Sequence, residues 1–220
     1  MTNRPDPDIE GATAAHARLL ATIGALTDDA AGRPSLLPGW TVGHVLTHVA
    51  RNADSHVRIL AAAASGESVE QYQGGRAARE SGIEVGAGRR ATELVDDVGS
   101  ASARLEELWA SVPDETWDGH GFNADGDRWP CAQLPFHRWR EVEVHLVDLG
   151  LGPSWVDWPD AYVARELPRV LTTLPHRLAD AAARRQLTAW LLDRGPSPGD
   201  GVVGKWVLGG WEEAPSYYGR

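Results

Sequence analysis

Two residues near the middle of the chain combine residue types and a spacing that could do chemistry. Glu141 and His145 stand four positions apart in the stretch REVEVHLVDLG. In an α-helix, positions i and i+4 lie on the same side, which puts the carboxylate beside the imidazole. Such a pair can be a surface ion pair, a satisfied contact in the core or two ligands of a metal ion. The spacing alone leaves all three interpretations open.

A second polar stripe occurs earlier in the chain, where His44 and His48 are four positions apart and Asn52 continues the same side. Helical bundles build metal sites from imidazoles and carboxylates on facing helices. Three ligands of the His and Glu types with an open fourth position are typical of catalytic zinc, which can deprotonate water or a thiol near neutral pH. If both stripes instead face solvent, they bind nothing. The pattern alone does not decide between a metal site and two solvated faces.

Charge and composition exclude several classes of function. The 220 residues carry a formal net charge of −10, which argues against nucleic acid or an anionic membrane as a partner. A small anionic substrate could still be held by local arginines. The first residues lack the basic start and apolar run of a signal peptide, and no segment approaches the ~20 apolar residues of a membrane span. We therefore expect a cytoplasmic protein that binds neither nucleic acid nor membranes.

The single cysteine, Cys131, cannot form a disulfide within the chain. Its surroundings, WPCAQLP, contain no evident base that would activate the thiol. We expect Cys131 to be buried or incidental, so any thiol chemistry would use a thiol that a cofactor brings in.

Four amphipathic segments are long enough to position the two polar stripes. Apolar residues at helical spacing predict helices at about Ile9–Leu26, from Thr41 to the break at Ser65, at about Ala91–Ser111, and from Leu134 to DLGLG. Between the second and third of these, the sequence is polar and predicts some helix only around Arg76–Arg79. The pattern is that of a mainly α fold built on a four-helix bundle with long crossovers.

The composition changes after GLGPSWVDWP, which predicts a bundle domain of residues 1–152 and a small C-terminal unit of residues 153–220. A helix from about Asp160 and a second one ending in LTAWLLDRG are expected there. In the last residues, Val and Trp alternate with Gly, which favours a short strand or hairpin. We therefore expect a small α/β or helical unit.

Two stretches, SLLPGWTVGHVLTHVARNAD and, about ninety residues later, HRWREVEVHLVDLG, together resemble the mycothiol-dependent maleylpyruvate isomerases of the DinB-like superfamily. The resemblance extends from Ile9 to Gly150 and implies a DinB-like metal-binding bundle. It implies that Zn²⁺ is bound by His48, Glu141 and His145, with mycothiol as the thiol cofactor. Glu143 lies about 200° around the helix from Glu141 and should not bind the same ion.

The resemblance also implies a mechanism. Mycothiol would bind zinc as its thiolate, add to the cis double bond of maleylpyruvate or a similar small anionic dioxo acid, and leave after bond rotation. A helix-ending R-G of the family falls on Arg194, which would hold a substrate carboxylate. His44 would act as an acid/base or support a ligand, whereas Arg140 and Asp148 would orient an imidazole or hold part of the cofactor or substrate.

The C-terminal unit is shorter than in the family and lacks the expected strands before the helix that ends at Arg194. The identity of the electrophilic substrate is therefore left open. One alternative is a zinc-dependent mycothiol S-transferase that conjugates the thiol to another electrophile. A second alternative is a non-catalytic DinB-like binding or stress protein that keeps only the architecture. Either a monomer or a homodimer is compatible with the sequence.

Overall fold

The computed structural model describes residues 3–177, 181–192 and 194–195, and within them the chain is mainly α-helical. The helices are α1 (Asp6–Ile23), α2 (Asp28–Gly32), α3 (Val42–Ala64), α4 (Gly75–Ala87), α5 (Ala91–Ser111), α6 (Leu134–Asp148), α7 (Asp160–Arg177) and α8 (Ala181–Leu191). Two short strands, β1 (His120–Phe122) and β2 (Arg128–Pro130), pair antiparallel between α5 and α6. The mainly α fold class is confirmed, whereas the strand predicted in VVGKWVLGGW lies outside the described residues.

Helices α1, α3, α5 and α6 form the predicted four-helix bundle. Helix α1 packs on α5 and α6, and α3 packs on the same two helices, so the four close a ring around one core. Each helix contributes a stripe of buried apolar side chains at helical spacing. Representative members are Ala15 and Leu19 on α1, Val45 and Val49 on α3, Leu94, Val98 and Leu105 on α5, and Val142 and Leu146 on α6.

The bounds of some helices differ from those predicted from apolar spacing, because polar residues extend or form these helices. Helix α1 begins at Asp6, three residues before the first apolar position, with Asp6 and Asp8 in its first turn, where carboxylates favour the positive end of the helix dipole. Helix α2 was not predicted, and Thr27 caps it by accepting a hydrogen bond from the Ala30 amide. Helix α4 is longer than predicted because its neighbour α3, rather than an apolar stripe of its own, supports it.

Two glycines let helices approach more closely than a side chain would permit. A Cβ on Gly86 of α4 would overlap the side chain of Thr47 on α3. A Cβ on Gly11 of α1 would overlap the ring of Trp139 on α6. The first approach fixes α4 against the part of α3 that carries His48, and the second fixes α1 against α6.

The chain divides into two compact units after Tyr162. The first unit contains the bundle and the first residues of α7. In the second unit, the described residues include the rest of α7 and all of α8. No helix in the part of the chain described here has the length and apolar character needed to cross a bilayer.

Candidate metal centre

His48, Glu141 and His145 meet in the core between α3 and α6. His48 Nε2 lies 3.0 Å from Glu141 Oε2, and His145 Nε2 lies 3.6 Å from the same oxygen. One ligand atom from each of the three buried residues lies within 4.8 Å of the others, and no other group of three or more potential ligands occurs in the described ranges. The two polar stripes therefore face each other inside the bundle rather than solvent.

The local sequence explains how these side chains reach one point. Thr41 and His44 form a capping box that starts α3, since the Thr41 hydroxyl accepts from the His44 amide and His44 Nδ1 accepts from the Thr41 amide. His48 follows one turn later on the face that packs against α6. Glu141 and His145 share one face of α6 because they are four residues apart.

Asp148 is hydrogen-bonded to the imidazole of His145. Its carboxylate Oδ2 accepts a hydrogen bond from His145 Nδ1 at 2.9 Å. Burial would lower the pKa of His145, but the hydrogen bonds to Asp148 and Glu141 outweigh burial and raise that pKa to about 9. A metal ion at Nε2 would replace a proton there, so metal binding should release protons.

Glu141 is the anion at the centre of the group. Burial would raise its pKa, but hydrogen bonds with His145 and His48 outweigh burial and hold that pKa well below the usual range. A carboxylate that is charged without a metal is already in the protonation state that a metal ligand needs.

His48 is enclosed by three other side chains. Burial is the main cause that lowers its pKa to about 4, so the ring is neutral. Trp40 packs edge-on against it with ring centres 5.7 Å apart, and His145 does so at 4.7 Å. Arg79 of α4 is the third contact, with Nη2 3.3 Å from His48 Nδ1.

The remaining predicted site residues occupy different surroundings. His44 stacks on Trp40, and its Nε2 lies 3.5 Å from Glu84 Oε2. Arg140 is buried on α6. Arg194 follows α8 in the second unit and is exposed, where its Nη1 donates to the carbonyl oxygen of Leu192. Their proposed roles in acid/base chemistry, cofactor binding and substrate binding stay predictions.

Arg138 lies three residues before Glu141 and is fully buried. Its guanidinium donates to His16 of α1, to the Val49 carbonyl and the Asn52 side chain of α3, and to Ser102 of α5. Burial lowers the pKa of Arg138 to about 10, so the side chain is still charged at neutral pH. Arg138 thus hydrogen-bonds α6 to all three other bundle helices, one turn before the candidate ligand Glu141.

Neither Glu143 as a metal ligand nor Cys131 as a nucleophile is supported by the surroundings of these side chains. Glu143 faces away from the three candidate ligands, toward Arg18 and the Trp139 indole. Cys131 is fully buried, and burial raises the pKa of its thiol to about 11. A thiol with that pKa is protonated at neutral pH and is a poor nucleophile.

Arg79 and Trp40 are the contacts to His48 that the sequence did not reveal. Arg79 lies in a polar stretch whose residues show no periodic relation to either ligand motif. Only the packing of α4 on α3 brings it to the ring. A tryptophan preceding a helix cap is a weak signal, since such residues usually pack on the first turn.

The donor set fits a divalent metal ion. Two imidazoles and one carboxylate are the ligands of many catalytic zinc sites, and a carboxylate behind one imidazole is a common second partner in such sites. Three protein ligands also leave coordination positions for a thiol or water.

Comparisons with known proteins give one family. Residues 12–150 match the family model of the mycothiol maleylpyruvate isomerase N-terminal domain. A crystal structure of the mycothiol-dependent maleylpyruvate isomerase matches with 26% sequence identity and a TM-score of 0.69. The match covers 74% of this chain and 69% of the chain in that structure. A variant of that enzyme with one histidine replaced by alanine has the same coverage and TM-score at 25% identity. Curated proteins gave no match.

Proposed function

Because the chain belongs to the mycothiol maleylpyruvate isomerase family, we propose that it is a mycothiol-dependent isomerase of maleylpyruvate-like cis-unsaturated dioxo acids, with zinc as its metal. The buried group of His48, Glu141 and His145 carries this proposal. Polar side chains are costly in a core unless they are paired or bind a metal. A purely structural bundle would have no reason to keep these three at one point.

His48, Glu141 and His145 would hold the ion, which when bound lowers the pKa of a thiol and offers it an open position. Asp148 keeps a proton on His145 Nδ1 and so leaves Nε2 as the ligand atom. Trp40 packs edge-on against His48 and would help to keep water away from that side. These residues would keep the reacting thiolate desolvated and in place.

The reaction needs no net oxidation. A thiol held at the metal as its thiolate would supply a nucleophile for reversible addition to the cis double bond, with the displaced electron pair taken up by the conjugated carbonyl oxygen. Rotation about the resulting single bond and elimination would then give the trans acid and return the thiol unchanged. Arg194 is our candidate for holding a substrate carboxylate through a charge-assisted pair.

The test is a thiol-dependent assay on maleylpyruvate with the zinc-loaded protein. We expect formation of the trans acid with no net consumption of mycothiol, and loss of both zinc binding and activity in His48→Ala. His120→Ala, on β1, is the matched control and should retain both. Circular dichroism should show that His48→Ala keeps its helices.

Three outcomes would contradict the proposal. Full zinc occupancy in His48→Ala would show that the ion is not bound by the group of His48, Glu141 and His145. Consumption of one thiol for each electrophile would favour the S-transferase. Retained zinc without any thiol-dependent turnover would favour a binding protein.

A further inference from the structure

The contact between Arg79 and His48 determines which nitrogen of His48 carries the proton. A guanidinium group can only donate hydrogen bonds, so His48 Nδ1, 3.3 Å from Arg79 Nη2, must accept. The neutral ring then carries its hydrogen on Nε2 and donates it to Glu141 Oε2 at 3.0 Å. In this arrangement Nε2 has no lone pair to offer to a metal ion.

A metal ion at His48 Nε2 requires the other tautomer. The ring hydrogen must then sit on Nδ1, where it points at the N–H groups of Arg79, and two donors cannot share a hydrogen bond. The positive charge of the guanidinium also opposes a divalent cation on the same ring. Metal binding therefore forces the Arg79 side chain away from His48.

Arg79 also lines a cleft of about 270 Å³ beside α3 and α4, into which a displaced guanidinium can turn. The side chain of Tyr72 lines the same cleft. Gly86 holds α4 close to Thr47, so we expect the side chain rather than the helix to move.

The charge of this cleft favours an anion. Three arginines line it against one carboxylate, that of Asp54. Arg51 is paired with Asp54 and Asp97, and Arg58 donates to the Glu70 carbonyl oxygen. Arg58 and Arg79 have no carboxylate partner in the described part of the chain, and of the two only Arg79 contacts a candidate metal ligand, His48. Its charge is therefore the one placed to bind a ligand beside that site.

We propose that Arg79 is a metal-dependent binding residue for a carboxylate of the substrate. Without metal it donates to His48, and with metal it turns into the cleft and pairs with a carboxylate beside the ion. The inference rests on the proposed function, since it requires a metal at His48. It places a carboxylate-binding residue in the bundle unit, whereas Arg194 belongs to the other unit.

Calorimetry of zinc, and of maleate added to the zinc-loaded protein, tests the inference without an activity assay. Arg79→Met should bind zinc several-fold more tightly, because the competing cation is gone, and maleate at least about tenfold more weakly. Arg79→Lys should keep the zinc affinity of the parent, because an ammonium also only donates. Its maleate affinity should be reduced because it lacks the planar fork.

The matched control is Arg76→Met, one turn earlier on α4, where Arg76 is exposed and paired with Asp125. This control should bind zinc and maleate like the parent. Maleamide, which has no charge, should bind equally weakly to the parent and to Arg79→Met.

The inference is overturned if Arg79→Met and Arg76→Met bind zinc and maleate alike. In that case thiol-dependent isomerase activity of the parent would leave the proposed function intact. Conversely, Arg79-dependent binding of maleate in a protein without isomerase activity would support the inference and contradict the proposed function. Failure of the parent to bind zinc would contradict both.

Discussion

At the scale of single residues, metal binding at the candidate centre depends on where each histidine carries its proton. The Asp148 carboxylate accepts from His145 Nδ1 and thereby leaves Nε2 on the side of Glu141. The contact of His48 with Arg79 favours the opposite outcome, with the proton on Nε2. Of the two candidate histidine ligands, His145 is thus oriented for metal binding, whereas His48 would have to change tautomer.

Asp148→Asn should therefore weaken zinc binding. An amide can still accept from His145 Nδ1, but it removes the negative charge that makes the imidazole a better ligand. We expect zinc affinity to fall by about ten- to a hundredfold, as measured by competition with a chromophoric chelator. Asp96→Asn, at an exposed position of α5, is the control. Equal zinc affinity in the two variants would show that Asp148 does not support His145.

At the scale of helices, small residues set how closely the elements pack. Gly11→Ala should destabilise the bundle, because its Cβ would overlap the Trp139 ring, and overpacking of this kind costs about 1–3 kcal/mol. Gly99→Ala on α5 should be neutral or stabilising by up to ~1 kcal/mol, since its Cβ would make an ordinary 3.6 Å contact with Leu20. Urea unfolding measures both, and the same sign for both variants would contradict this account.

The hydrogen bonds of Arg138 to three other helices make a second prediction at this scale. Arg138→Met should lower the free energy of unfolding by about 3 kcal/mol, because it leaves buried acceptors on α1 and α3 without donors. Arg104→Met removes an exposed arginine paired with Asp54 and should cost less than ~1 kcal/mol. Urea unfolding compares the two. A loss no larger than that of Arg104→Met would mean that the buried acceptors find other partners.

At the scale of the whole molecule, buried neutral histidines lower the free energy of unfolding as the pH falls. His56 is fully buried against Trp129, and neither ring nitrogen has a hydrogen-bond partner among the residues described. Burial first, and then Arg138, lower the pKa of His56 to about 3. The unfolded chain binds a proton below about pH 6.5, whereas the folded chain does not until about pH 3. Stability is therefore lost as the pH falls through this window.

His56→Leu should remove this contribution. Between pH 6.5 and 4.5 the variant should lose ~2–3 kcal/mol less unfolding free energy than the parent, both measured by urea unfolding in chelator. At pH 7.5, where the histidine is neutral in both states, the variant should be at least as stable, because a buried polar group without partners has been removed. Parallel pH profiles for the two proteins would show that His56 is not the titrating group.

The sequence by itself determined the helices of the bundle and the identity of the candidate ligands. Apolar spacing is a local property of a helix, so α1, α3, α5 and α6 could be placed to within a few residues. The pairing of Glu141 with His145 follows from the geometry of one helical turn. The choice of His48 as their partner came from the family motifs and not from spacing, because spacing does not tell which faces of two distant helices meet.

Only the tertiary structure decided what surrounds those ligands. Arg79 reaches His48 because Gly86 lets α4 pack closely on α3, and Arg138 joins four helices because all four stripes close around one core. These contacts link residues 31 to 122 positions apart, and their geometry depends on packing distances and loop paths that no local pattern contains. Periodicity determines which side chains share one face of a helix, whereas the packing of the whole fold determines which residues that face contacts.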